Sequence, residues 1–137
     1  MPLPADLLAA YQDSDYVVYD KPELVLKIGV PSPRLDALLE KVGAPFAAFV
    51  TAANPRSKPR SAEENAKALA GLDRIVAASG YPSLKGEGRE SNGDWVEPSR
   101  LVIGIYRDNA LALGRLFGQN AIVFVQKGAA PELVALG

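Results

Sequence analysis

Thr51, Asn54, Arg56, Ser57, Arg60 and Asn65 crowd into one stretch, FVTAANPRSKPRSAEEN, and Glu97, Ser99 and Gln119 follow in WVEPSRL and FGQN. Guanidinium forks, hydroxyls and amides are the groups that recognise carboxylate and phosphate oxygens through charge-assisted hydrogen bonds. An apolar strand running into this polar loop, followed at once by a helix start, aims backbone N–H groups at the same place. The pattern predicts a polar pocket that binds an anionic small molecule (phosphate-, nucleotide- or carboxylate-bearing) at the loop 54–61. Arg56 and Arg60 would stand at its mouth, and Glu97 is the residue suited to act as general base or cation ligand.

Each of these residues also has a purely structural reading. Asn54 before Pro55 is ordinary turn chemistry, and Arg56, Lys58 and Arg60 suit a solvated loop. Asn65 could tie helix to sheet, Glu97 could pair with Arg56 or Arg100, and Gln119 could serve a helix end. Thr51, Ser57 and Ser99 could be plain strand or turn hydroxyls. The second functional class is therefore a non-catalytic protein-interaction or regulatory domain whose polar cluster fixes the fold. Whether the chain is an enzyme stays open.

The composition narrows the chemistry. The 137 residues include neither cysteine nor histidine. That removes disulfides, thiol nucleophiles and Ser-His-Asp catalysis, together with the commonest zinc ligand. No metal and no cofactor is expected. A net charge of -1 disfavours nucleic acid as a partner. No apolar run approaches the ~20 residues that span a bilayer, and the N-terminus lacks the pattern of a signal peptide. A soluble cytoplasmic protein without membrane contact is expected, with any protein partner unspecified.

The elements that must position the site are legible in part. Ala5–Tyr11 reads as a short helix, and Tyr16–Asp20 and Glu23–Ile28 as strands. Leu35, Leu38, Leu39 and Val42 follow helical spacing and end at Gly43. Phe46–Ala53 carries no charge and reads as an interior strand. Ser61 with Glu64 forms a capping box that opens a helix to Ser79. Leu69, Leu72 and Val76 share one stripe of that helix with Asn65, so Asn65 must find partners near the end of the Phe46–Ala53 strand.

Lys85–Asp94 reads as a loop by composition, after a short strand at Tyr81–Leu84. In Trp95–Ile105, strand alternation places Trp95, Glu97, Ser99, Leu101, Ile103 and Ile105 on one face. Pro98 demands an edge, a bulge or a late start there. Asp108 is expected to cap a helix at Asn109–Phe117. Asn120–Gln126 reads as a strand, and Ala129–Gly137 has no assignable type. The sum is one α+β domain over residues 1–137. It has a mixed or mainly antiparallel sheet of four to six strands, and three to four helices pack on one side of it.

Four of these segments in this order, FAAFVTAANPRS, SAEEN, WVEPSRLVIGI and LFGQNAIVF, resemble the bacterial domain-of-unknown-function family DUF3293. Members of that family show a TA-x-NP-x-S segment, an E-N pair on the next helix, an E-x-S element and an FGQ-x-A strand entry. The resemblance covers Tyr16–Val125 and implies no reaction.

Overall fold

The computed structural model describes residues 3–55, 58–90 and 95–136. Within them lie four helices, α1 (Ala5–Asp13), α2 (Pro33–Val42), α3 (Ala62–Ala78) and α4 (Arg107–Leu116). The strands are β1 (Asp15–Val18), β2 (Leu24–Leu26), β3 (Phe46–Val50), β4 (Ser83–Arg89), β5 (Val96–Ile103), β6 (Ala121–Gln126) and β7 (Glu132–Ala135).

All seven strands join one sheet in the order β2-β1-β4-β5-β3-β6-β7, and every neighbouring pair is antiparallel. This is more than the four to six expected. The excess is β7 in the tail, while β4 carries the short strand expected at Tyr81–Leu84 on through KGEGR, a segment with the composition of a loop. β4 is flanked on both sides, by β1 and β5, so its ladder bonds override a poor intrinsic preference. Gly86 is needed there for space: a Cβ at that position would lie 2.1 Å from the Val17 carbonyl oxygen.

The sheet is curled. Gly29, just beyond β2, donates its N–H to the carbonyl of Pro131, just before β7, at 2.9 Å. The two ends of the strand order therefore meet. Inside the curl lie Tyr16, Val18, Phe49, Leu101, Ile103 and Val125, with Leu35 and Leu39 of α2. Against the outer face, Leu69, Leu72 and Val76 of α3 and Ala110 and Leu113 of α4 cover Ala48, Val50, Val102 and Phe124. Helices thus occupy both faces rather than the single side expected, because β3 and β5 are apolar on both.

The α3 start is as expected. Ser61 Oγ accepts the Glu64 N–H at 3.1 Å, and Glu64 Oε1 accepts the Ser61 N–H at 3.4 Å. Gly43 closes α2 in the left-handed region. α4, by contrast, begins at Arg107 after Tyr106, which makes no side-chain cap. Asp108 instead sits inside the first turn, where the helix dipole favours a carboxylate.

β5 runs straight through Pro98, although it lies inside the sheet. Its pairing with β3 ends at Arg100. In an antiparallel strand a residue's N–H and C=O point to the same neighbour. The Pro98 carbonyl accepts from Thr51 Oγ1 at 2.6 Å. The missing N–H therefore faces the side where the β3 ladder has already ended. Among the described residues, no helix is long and apolar enough to cross a membrane.

Candidate functional site

β3 stops at Val50, and the chain turns at Asn54, whose φ of 46° is left-handed. Asparagine tolerates that conformation better than other residues with a Cβ. Its side chain then joins three segments. Nδ2 donates to Glu97 Oε2 at 3.0 Å. Oδ1 accepts from Asn65 Nδ2 at 2.9 Å and from the Arg60 N–H at 3.0 Å. The Asn54 backbone N–H donates to Asn65 Oδ1 at 2.9 Å. Two N–H donors face one end of the amide and a carboxylate faces the other, so the chemistry itself fixes the amide's orientation.

The remaining polar residues brace this hub. Thr51 Oγ1 donates to Pro98 and accepts the Ala53 N–H at 3.0 Å. Buried Ser99 donates to the Glu97 carbonyl at 3.0 Å. Gln119 Nε2, at the end of α4, donates to the carbonyls of Ala53 at 3.1 Å and Phe117 at 3.3 Å. Thr51, Asn54, Asn65, Glu97, Ser99 and Gln119 are thus brought to one end of the sheet.

Of the two arginines expected at the mouth, Arg60 falls among the described residues. Arg60 joins through its backbone, and its exposed guanidinium lies 3.8 Å from Glu64. Arg56 and Ser57 lie outside the described residues. Arg100 does not pair with Glu97; it points to the outer face and binds Asp73 of α3 at 2.8 and 3.2 Å. The Glu97 carboxylate accepts from Asn54 and the Trp95 indole, and the described residues supply it no ion pair. Burial pushes its pKa above the ordinary carboxylate value, with the two donors opposing.

Glu97 faces a cavity of about 210 Å³ between the sheet and α1, lined by Tyr11, Ser14, Tyr16, Gly88, Glu90 and Trp95 among others. A narrower recess of about 40 Å³ shares Tyr11, Tyr16, Gly88 and Glu97 and reaches Thr51, Ser99 and Gln119. Strand register accounts for the opening. Tyr16, Gly88 and Glu97 are successive partners across β1, β4 and β5, so one row of side chains runs across the inner face with nothing at its centre. A Cβ built on Gly88 would meet no atom within 4 Å.

Tyr16 donates its hydroxyl to the Tyr11 carbonyl at 2.6 Å. Burial, first among its causes, holds its pKa far above the ordinary value, so the phenol is neutral at physiological pH. Sequence reasoning passed over Tyr11, Tyr16, Gly88 and Trp95 as site residues. The signal available for Gly88 was the G-x-G spacing of KGEGR, which on a strand places both glycines on one face. Among the described residues, no three carboxylates converge as a metal site.

A family model described as a protein of unknown function (DUF3293) matches residues 50–122, just over half of the chain. That span holds every polar residue of the hub, together with Gly88 and Trp95. No curated protein and no solved structure matches the chain.

Proposed function

The chain belongs to the DUF3293 family, whose description names no activity, and we propose that it is a small-ligand-binding domain. Its site is the Asn54–Glu97 end of the curled sheet. The ligand carries an anionic group (phosphate-, nucleotide- or carboxylate-borne) at the loop 54–61. The remainder of the ligand enters the cavity in front of Glu97.

One observation carries this reading. A half-buried carboxylate, shifted by its own burial, looks into an open cavity and is held there by a residue in a left-handed conformation. A glutamine could accept the same hydrogen bonds at lower desolvation cost. A fold needing only the hydrogen bonds would gain nothing from the charge. The anionic end of the ligand falls to Arg60, whose exposed, long pair with Glu64 is of the kind worth little and is readily redirected to a better acceptor.

A second reading, an interaction or regulatory domain, is favoured by a different fact. Every buried side-chain polar atom among the described residues already has a partner, so the hub could be self-sufficient.

A thermal-shift screen against nucleotides, sugar phosphates and carboxylates separates the two. A ligand at about 100 times its Kd adds about 2.7 kcal/mol, an effect that Arg60→Ala should reduce. The absence of any stabilising compound would favour the second reading. Once a ligand is known, its turnover in Glu97→Gln decides whether Glu97 also transfers a proton, since general-base catalysis contributes about 10²–10⁴-fold.

A further inference from the structure

We propose that the part of the ligand entering the Glu97 cavity is a protonated amine or guanidinium, held between the Glu97 carboxylate and the aromatic walls of Trp95, Tyr11 and Tyr16. This rests on the small-ligand reading of the same site and specifies the end of the ligand opposite its anionic group. The charge balance of the walls points there. The cavity lining carries two carboxylates, Glu97 and Glu90, and among the described residues neither it nor the adjoining recess contains Lys or Arg. An anion placed there would meet only like charge.

A cation gains from both wall types. Aromatic faces attract it through their quadrupoles, and the carboxylate offers a charge-assisted hydrogen bond. Leu7 and Ala10 of α1 supply apolar surface for a short methylene stem. The volume of about 210 Å³ falls below the roughly 300–1,000 Å³ of sites for drug-sized ligands. It therefore admits a side-chain-sized group. Burial raises the Glu97 pKa, and a bound ammonium would add an opposing charge beside the carboxylate. With the anionic group at the loop, the ligand class becomes a small zwitterion such as an aminoalkyl phosphate or an amino acid.

Trp95 is the chain's single tryptophan, so its fluorescence reports on this cavity alone. The probes are propylammonium, 1-propanol, inorganic phosphate and O-phosphoethanolamine at fixed ionic strength and neutral pH. Propylammonium should change Trp95 emission saturably where 1-propanol does not, and O-phosphoethanolamine should bind more tightly than either half. Glu97→Gln should weaken propylammonium about tenfold or more. Arg60→Ala should leave propylammonium unchanged. Gly88→Val, which fills the cavity while keeping Glu97, should abolish the response even if Glu97→Gln folds poorly.

Equal responses to propylammonium and 1-propanol, or an affinity indifferent to Glu97→Gln, would overturn the inference. Phosphate binding that is sensitive to Arg60→Ala, with no propylammonium response, would overturn it too and leave the proposed function standing. The reverse pattern would support the inference and remove the anionic group from the proposed ligand. No response to any probe would overturn both.

Discussion

Asn54 uses a single amide to fix a turn, the start of α3 and the Glu97 side chain of β5. Asn54→Ala therefore removes several hydrogen bonds at once and leaves a Cβ residue in the left-handed region. The expected loss is roughly 2–4 kcal/mol, measured by denaturant unfolding. Asn54→Gly relieves the backbone but not the amide, and should cost about 1 kcal/mol less than alanine.

Glu97 gives a prediction with a defined sign. Its carboxyl titrates higher in the folded protein than in the unfolded chain. Between those two values the folded state holds the extra proton, so stability falls as pH rises through that window and stays lower above it. Glu97→Gln removes this titration. It should match the wild type at acidic pH, below the ordinary carboxylate range, and exceed it at neutral pH; melting curves at both pH values check this. A variant less stable than wild type at neutral pH would show that the charge serves the fold.

Asn65 was the most legible member of the hub. An amide on a stripe with Leu69, Leu72 and Val76 demands a partner, and Asn54 provides it. Gly88 was the least legible, because a missing side chain matters only once the side chains of its neighbours across the sheet are known.

Among the elements, α3 is the one whose sequence signals all agree. Its capping box and its buried stripe both stand where periodicity places them. Ser61→Ala should cost about 1 kcal/mol, and Leu72→Ala, at a fully buried site, roughly 2–5 kcal/mol. Urea unfolding of the two variants tests cap and stripe separately. β4 shows the opposite situation. Its glycines and charges announce a loop, yet β5 pairs with it along its whole length and β1 along Gly86–Arg89. Local composition carries no information about how many neighbours a strand will have. Asp108 makes the same point at smaller scale: a good capping residue lost the cap position to Tyr106, whose extended backbone starts the helix two residues earlier than an Asp108 cap would.

At the scale of the molecule, the α+β class, the helices and most strands could be read from periodicity. Strand order and curl could not, since β3 and β5 pair across roughly fifty residues of intervening chain. The curl frames the candidate site. It closes the sheet's ends at Gly29 and Pro131 and leaves the empty row position of Gly88 between Tyr16 and Glu97.

Filling that position alone tests the claim that this cavity is the ligand site. Gly88→Val adds a β-favouring side chain where a Cβ meets open space, so the variant should melt cooperatively at a temperature no lower than the wild type. In parallel thermal-shift titrations, compounds that stabilise the wild type should leave Gly88→Val unmoved. Undiminished stabilisation of a well-folded Gly88→Val would contradict the assignment and place the ligand elsewhere on the molecule.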